Sequence, residues 1–146
     1  YNDADELIEL EPKEEYNLIE LKNILLKSLN YRKSQGAIIF DTSISKLKLE
    51  EGKVVLKTIE KKISQTIISE AMILMGYITS LFLNKNNLPA AYRIQKINCN
   101  PNEILNKYKD SEIKYILLKQ YMGRSFVTIK PSNHESLGLP LYVQCT

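Results

Sequence analysis

Hydrophobic positions along the chain recur at helical spacing in two long stretches. Apolar residues three or four apart form one stripe from about Pro12 to Gln35 and a second over residues 65–85. Gly36 follows the first stripe and can adopt the left-handed conformation that ends a helix. The second stripe covers a wide arc, which predicts a central helix that is packed on several sides.

Shorter apolar runs predict strands between and after these helices. Residues 46–60 hold two runs of alternating or β-branched residues around a turn at Glu51-Gly52, as in a β-hairpin. The fold predicted from this order is α+β: a mixed sheet with a β-hairpin packed around a long central helix. The remaining predicted elements are strands at 37–40, 91–94 and 126–129, short helices from Asn100 and over 111–121, and a loop at 131–140.

The C-terminal stretch ends inside a predicted element. Tyr142-Val143-Gln144 is typical of the start of a buried strand, and the chain stops two residues later at Thr146. We therefore expect the chain to be part of a longer protein.

Composition narrows the class of protein. A chain of 146 residues with 44% hydrophobic and 25% charged residues fits one globular domain. The most apolar run, residues 67–83, is interrupted by polar side chains, so no membrane span is predicted. Two cysteines, Cys99 and Cys145, are too few for a disulfide framework, and a reducing compartment is expected.

Charge is distributed unevenly along the chain. Residues 1–20 hold eight of the 17 acidic residues and one of the 20 basic ones, so the remainder is strongly basic. A basic body suits an anionic partner such as nucleic acid, although, on charge alone, a solvated lysine-rich surface is the better explanation. Lys46, Lys48, Lys53 and Lys57 of the predicted hairpin fit such a solvated face.

Few residues stand out as candidates for chemistry. The only histidine, His134, has no evident catalytic partner, and a lone loop histidine is usually structural. Asp3 and Asp5 offer oxygen ligands for Mg²⁺, but a solvated acidic segment explains them better. Glu70 lies among apolar residues of the central helix, so it either has a partner, faces a cleft, or points to solvent between two apolar stripes.

Four motifs occur in order along the chain: YRKSQGAIIF (Tyr31–Phe40), IISEAMILMG (Ile67–Gly76), PAAYRIQ (Pro89–Gln95) and HESLGLPLYVQCT (His134–Thr146). Together they resemble the motifs of the ribonuclease II family and its RNB catalytic domain. They cover nearly the whole chain, and the last one is the most specific. The compact link after Gln95 is most similar to the cyanobacterial and plastid form.

The resemblance implies that residues 1–146 are a partial RNB catalytic domain. Enzymes of this family degrade single-stranded RNA processively from the 3′ end and release nucleoside monophosphates. Their aspartate cluster, which binds Mg²⁺, would lie upstream of this segment, and their arginine motif downstream. The implied protein is a monomer without membrane attachment, in the bacterial cytoplasm or the plastid stroma, and this segment alone is expected to be inactive.

The resemblance also assigns RNA-binding roles to particular residues. Phe40 falls where the family places a clamp aromatic, and an aromatic ring stacks on any base. Glu70 matches one of two paired glutamates near the bound nucleotide, while Ser69 replaces the other and Gly76 replaces an asparagine. The further implied binding residues are Tyr92, Arg93, His134 and Tyr142, with a structural salt bridge favoured for Arg93 and a wall-forming role for His134 and Tyr142.

Two alternatives stay open at this point. Ser69 and Gly76 depart from the family pattern, which favours a non-catalytic relative that grips RNA without cutting it. An unrelated α+β domain would share these short apolar patterns by chance.

Overall fold

The chain forms four helices and two short strand pairs in the residues that the structure describes. The structure is a computed structural model that describes residues 5, 16–40, 44–50, 53–59, 62–108 and 113–144. Its helices are α1 Tyr16–Ser34, α2 Ile63–Lys85, α3 Pro101–Lys107 and α4 Ile113–Tyr121. Its strands are β1 Ile44–Glu50, β2 Lys53–Ile59, β3 Tyr92–Ile94 and β4 Phe126–Thr128. This mixture confirms the predicted α+β class.

The contact between α1 and α2 forms the core. Leu25 of α1 and Ile67 of α2 are 2% and 6% exposed and touch one another. Both lie on the predicted helical stripes, so the hydrophobic spacing located this contact correctly. The partly buried side chains packed around them are Leu18, Ile63, Ala71 and Leu74.

Polar side chains accept hydrogen bonds from backbone N–H groups at the start of α2. The backbone N–H of Lys62 donates to Oε1 of Gln65 at 3.1 Å, and that of Ser64 donates to Oδ1 of Asp5 at 2.9 Å. The Nζ of Lys62 lies 3.4 Å from the second oxygen of Asp5. Asp5 therefore caps the N-terminus of α2. The other candidate magnesium ligand, Asp3, lies outside the described residues.

One face of α2 remains exposed, although the sequence predicted packing on several sides. By length and composition alone, α2 could cross a membrane, with a mean hydropathy of 1.6 in its most apolar window. The sequence predicts no membrane span here, because polar side chains interrupt the apolar run at residues 67–83. Only 22% of that window is buried. The exposed apolar side chains, with exposures between 46% and 60%, are Ile68, Met72, Met75, Ile78 and Phe82.

The predicted hairpin is confirmed, but its packing differs from the prediction. β1 and β2 pair antiparallel, with Leu47 opposite Leu56 and Leu49 opposite Val54. Leu47 and Leu49 are 73% and 74% exposed. The described side chains of the hairpin therefore project into solvent, where we expected the hairpin to pack around the central helix. The strands form two separate antiparallel pairs, β1–β2 and β3–β4, where a mixed sheet was expected.

Two predicted strands take other forms. Residues 37–40 are irregular, because their backbone groups bond to a helix end and to a loop instead of a neighbouring strand. The N–H of Ala37 donates to the carbonyl of Arg32 at 2.9 Å, and the N–H of Ile38 donates to the carbonyl of Ser136 at 3.0 Å. Residues 142–144 make only an isolated antiparallel bridge, between Val143 and Tyr92.

Candidate functional site

A tight loop at residues 134–139 is the local structure on which the site is built. A single 3-10 turn, Glu135–Leu137, ends at Gly138, whose φ of 65° is in the left-handed region. The N–H of Gly138 donates to the carbonyl of Glu135, and the N–H of His134 donates to the carbonyl of Leu139, both at 2.9 Å. These bonds close the loop on itself, so its side chains have fixed positions.

A buried ion pair joins α1 to α2 beneath this loop. Nη2 of Arg32 lies 2.5 Å from Oε1 of Glu70, and Nε donates to Oε2 at 3.1 Å, which makes the pair bidentate. The third guanidinium nitrogen, Nη1, donates to the carbonyl of Leu137 at 3.0 Å. Arg32 and Glu70 are only 2% and 4% exposed. Of the three possibilities that the sequence left open for Glu70, a partner, a cleft or solvent, the structure shows the partner.

The loop is also bonded to the segment that follows β3. The N–H of Glu135 donates to the carbonyl of Gln95 at 2.9 Å, and Oε2 of Glu135 accepts from the N–H of Ile97 at 2.6 Å. The side-chain amide of Gln95 donates to the carbonyl of Gly123 at 2.8 Å, so its oxygen faces the hydroxyl of Ser136 and accepts from it. The loop is therefore held from two sides.

His134 is buried and neutral at the centre of these contacts. Its ring meets Tyr142 edge-on, with centroids 5.6 Å apart, and Nδ1 lies 3.3 Å from the hydroxyl of Ser136. Since that hydroxyl gives its hydrogen to Gln95, Nδ1 is the donor in this contact, which assigns the tautomer. Burial lowers the pKa of His134 from its usual 6.5 to about 4, and the positive charge of Arg93 adds to the shift.

We expect His134 to make the stability of the fold depend on pH. The pKa of His134 is lower in the folded state than in the unfolded state, so its contribution is complete above 6.5 and is lost as the pH falls toward 4. In urea unfolding, the His134→Gln variant should lose less stability than the unchanged chain between those two pH values. Because His134 is the only histidine in the sequence, equal slopes for the two proteins would contradict this expectation.

Gly76 allows the chain that follows the loop to pass directly over α2. A Cβ at this position would lie 2.5 Å from Cε2 of Tyr142 and would also collide with the carbonyl oxygen of Val143. The N–H of Val143 donates to the carbonyl of Gly76 at 3.4 Å. The glycine in place of the family's asparagine therefore has a physical reason, since any side chain would push the Tyr142 segment away.

Tyr92 and Arg93 of β3 bind the same C-terminal segment. The N–H of Arg93 donates to the carbonyl of Tyr142 at 2.8 Å, and its guanidinium donates to Ser125 at 3.0 and 3.1 Å and to the side chain of Gln144. Both side-chain partners are neutral, where a salt bridge was favoured. Tyr92 is 2% exposed and belongs to the core.

Phe40 lies against α4. Its ring centroid is 5.6 Å from that of Tyr115 at an interplanar angle of 45°, and Nζ of Lys119 lies 5.5 Å from the Phe40 centroid. The contacts described for Phe40 therefore run to α4, whereas those of Glu70 run to α1. Phe40 is half-buried, so part of its ring is accessible.

Two cavities lie on either side of the α1 end and share Tyr31 and Leu139. One, of about 360 Å³, lies between α1, the loop and the start of α3, with Gly36 and Cys99 in its wall. The other, of about 300 Å³, lies between α1 and α2 and is lined mainly by apolar side chains together with Tyr77. Burial and the neighbouring Tyr31 raise the pKa of Tyr77. Both volumes are at the lower end of the range of ligand pockets.

The described residues do not provide a magnesium site. No group of three or more His, Cys, Asp or Glu side chains occurs within residues 16–40, 44–50, 53–59, 62–108 and 113–144. The two acids of the site are engaged: Glu70 binds Arg32, and Glu135 accepts a backbone hydrogen bond. A magnesium ion therefore does not fit these side chains, and no chemical step can be assigned to one here.

The structure brings most of the predicted site residues together. His134 and Tyr142 touch, and Arg93 and Tyr92 bond to the segment carrying Tyr142. Glu70 reaches the loop through Arg32.

Sequence reasoning did not assign roles to four residues that organise this site. Arg32 lies inside the first quoted motif, but the sequence predicts no partner for it. A signal was present, since a buried carboxylate such as Glu70 needs a cation. The other three lie in the third and fourth motifs and are Gln95, Glu135 and Ser136.

The family of the chain is shown by its match to a known domain. The family profile described as the RNB domain matches residues 1–146, which is the entire chain. The chain belongs to the RNB domain family. The resemblance inferred from the four motifs is thus confirmed.

Two RNB relatives are much longer than this chain. An uncharacterized ribonuclease of the cyanobacterium Synechocystis sp. is 33% identical over 150 residues, which cover 100% of this chain and 22% of the relative. Ribonuclease II, chloroplastic/mitochondrial, of Arabidopsis thaliana is 24% identical over 153 residues, which cover 100% of this chain and 19% of the relative. The chain therefore spans about a fifth of the length of these relatives.

Solved structures of RNB enzymes share the fold. RNase R of Mycoplasma genitalium in complex with double-stranded RNA has a TM-score of 0.76 at 16% identity, covering 99% of this chain and 33% of that one. The same enzyme with ribose-methylated single-stranded RNA has a TM-score of 0.72 at 17% identity, with coverages of 88% and 26%. At such low identity, the likeness concerns the fold alone.

Proposed function

We propose that this chain is part of an RNB exoribonuclease that degrades single-stranded RNA processively from the 3′ end to nucleoside monophosphates. The observation that carries the proposal is the convergence of all four family motifs on one hydrogen-bonded unit. Arg32 of the first binds Glu70 of the second and Leu137 of the fourth, while Arg93 of the third binds Tyr142. Family membership and relatives named as ribonucleases support the same activity.

The placement of each residue favours a particular role in binding RNA. Phe40 is half-buried and offers a ring face on which a base can stack. His134 and Tyr142 form an edge-to-face pair, in which the half-buried Tyr142 serves as a wall and the buried His134 holds it in place. Arg93 holds the strand beside that wall. Glu70 and Tyr92 are buried, so they act indirectly by holding the loop and the strand in position.

The metal chemistry belongs outside the described residues in this proposal. Magnesium would supply an activated water and a Lewis acid for phosphodiester hydrolysis. Its ligands would come from the part of the domain that precedes this segment in longer relatives. The residues of this chain contribute binding and positioning.

Two relatives support a proposal for the location of the protein. A cyanobacterial relative and a chloroplastic/mitochondrial relative support a bacterial cytoplasm or a plastid stroma. We propose a monomer acting on RNA without attachment to a membrane.

A non-catalytic RNA-binding relative is the second candidate. Ser69 stands where the family has one of its paired glutamates, and its exposed hydroxyl donates to the carbonyl of Gln65 at 2.8 Å. Such a hydroxyl cannot carry the negative charge of the missing glutamate. This difference would weaken catalysis more than binding.

The activity is tested with 5′-labelled single-stranded poly(A) and Mg²⁺. We expect the 146-residue chain to bind the RNA in a salt-sensitive manner and to leave its length unchanged, because the described residues offer no metal site. A longer protein that adds the upstream aspartates and the downstream Ser-Pro-Ile-Arg-Arg-Tyr motif should shorten the RNA to short end products. The label at the 5′ end distinguishes 3′ trimming from removal of the 5′ nucleotide.

Three outcomes distinguish the candidates. Shortening of the RNA by the 146-residue chain with Mg²⁺ would contradict the assignment of the metal site elsewhere. Binding without shortening by the longer protein would favour the non-catalytic relative. No salt-sensitive binding by either protein would reject both.

A further inference from the structure

A cluster of two aromatic rings and two lysines lies where residues 37–40 meet α4. Phe40 and Tyr115 touch with centroids 5.6 Å apart. The Nζ of Lys119 lies 5.5 Å from the Phe40 centroid, and that of Lys114 lies 5.1 Å from the Tyr115 centroid. Each ring thus has a cation within cation–π distance.

The helix fixes this cluster in place. Tyr115 and Lys119 are four residues apart, so they are neighbours on one face of α4. Leu118 is completely buried and anchors the helix on the rest of the fold. Lys119 is exposed, whereas Tyr115 is half-buried like Phe40, so each ring is supported from behind and accessible in part.

The charge around the cluster suits a polyanion. Residues 113–130 contain four basic residues and no acidic residue. Aromatic rings beside cations match the two needs of single-stranded RNA: faces on which bases stack and charges that neutralise phosphates. A packing role alone would explain the ring contact without explaining the lysine beside each ring.

We propose that Tyr115 and Lys119 of α4 extend the Phe40 stacking site, so that single-stranded RNA is held by two neighbouring rings and one lysine. This inference rests on the proposed function. A base stacks on Phe40 in place of the lysine, because stacking of a base is stronger than an exposed cation–π contact. Lys119 then turns to a phosphate, and Tyr115 receives the adjacent base.

The test is a fluorescence-anisotropy titration of the 146-residue chain with labelled poly(A) at several salt concentrations. We expect Tyr115→Leu to weaken binding about tenfold with little change in the salt dependence, since it removes a stacking face. Lys119→Gln should weaken binding and reduce the slope of log K against log salt by about 0.7, the value for one phosphate contact on a single strand. Tyr115→Phe, which keeps the ring, should bind like the unchanged chain.

The matched control is a second lysine–tyrosine pair. Nζ of Lys107 lies 5.5 Å from the ring of Tyr108 at the end of α3. Tyr108→Leu and Lys107→Gln remove the same chemical groups at a different place, and we expect each to change the affinity less than twofold. Circular dichroism establishes that each variant keeps the helical content of the unchanged chain.

Two results would overturn the inference, and they differ in what they say about the proposed function. If Phe40→Leu weakens binding but Tyr115→Leu behaves like Tyr108→Leu, α4 is not part of the site and the proposed function is unaffected. If the unchanged chain shows no salt-sensitive binding, both the inference and the proposed function fail. A loss of affinity for Tyr115→Phe as large as for Tyr115→Leu would also reject stacking as the cause.

Discussion

Replacing Arg32 with methionine while Glu70 stays in place is expected to lower the free energy of unfolding by about 3–5 kcal/mol. Both side chains are almost completely buried, and the guanidinium binds the carboxylate through two nitrogens. Its loss leaves a carboxylate buried without a cation and frees the carbonyl of Leu137. Urea unfolding of the 146-residue chain measures the change directly.

Two further variants show whether the buried charge is the cause. Arg32→Met combined with Glu70→Gln removes both charges and should recover most of the loss, because no ion is left unpaired. The matched control is the pair of Lys62 and Asp5, separated by 3.4 Å, in which the lysine is 38% exposed. Lys62→Met should cost less than about 1 kcal/mol. Equal losses for Arg32→Met and Lys62→Met would contradict the argument.

The sequence predicted the elements that depend on nearby residues. The two long helices and the hairpin follow from spacing within a stretch of the chain, and the structure confirms them. The core contact of Leu25 with Ile67 was also predicted in part, since each lies on its helical stripe. Local patterns suffice here because one buried face decides the register of the whole element.

Contacts between distant segments were harder to predict. Arg32 and Glu70 are 38 residues apart, and Arg32 and Leu137 are 105 apart. Nothing local distinguishes Arg32 from the other basic residues of a lysine-rich chain. The apolar run 37–40 was predicted as a strand for the same reason, because its hydrogen-bond partners lie at a helix end and in the loop.

The wide apolar arc of α2 shows that an apolar pattern does not by itself predict burial. Its hydrophobic residues predicted burial on several sides, yet Met72, Met75 and Phe82 are about 60% exposed. The family's motifs are nevertheless present on this helix and reach the loop from its other face. A pattern of hydrophobic residues shows which faces of a helix are apolar, whereas their burial depends on contacts with segments distant in the sequence.

Replacing Gly138 with alanine is expected to cost about 2–5 kcal/mol, for two separate reasons. Its φ of 65° is in the left-handed region, which costs an alanine about 1–2 kcal/mol. An added Cβ would also lie 2.6 Å from the carbonyl oxygen of Arg32 and 3.0 Å from the nitrogen of Ala37, so the backbone would have to shift, at about 1–3 kcal/mol. The second effect would loosen the loop from α1.

The Gly36→Ala variant distinguishes the conformational cost from the cost of the steric contact. Its φ of 86° is also in the left-handed region, but no atom lies within 4 Å of an added Cβ. Gly36→Ala should therefore cost about 1–2 kcal/mol, the conformational part alone. The excess for Gly138→Ala measures the close approach of the loop to α1, and it should be accompanied by a loss of the tyrosine near-ultraviolet signal as Tyr142 leaves His134. Equal costs for the two variants would mean that the loop yields to the added Cβ without resistance.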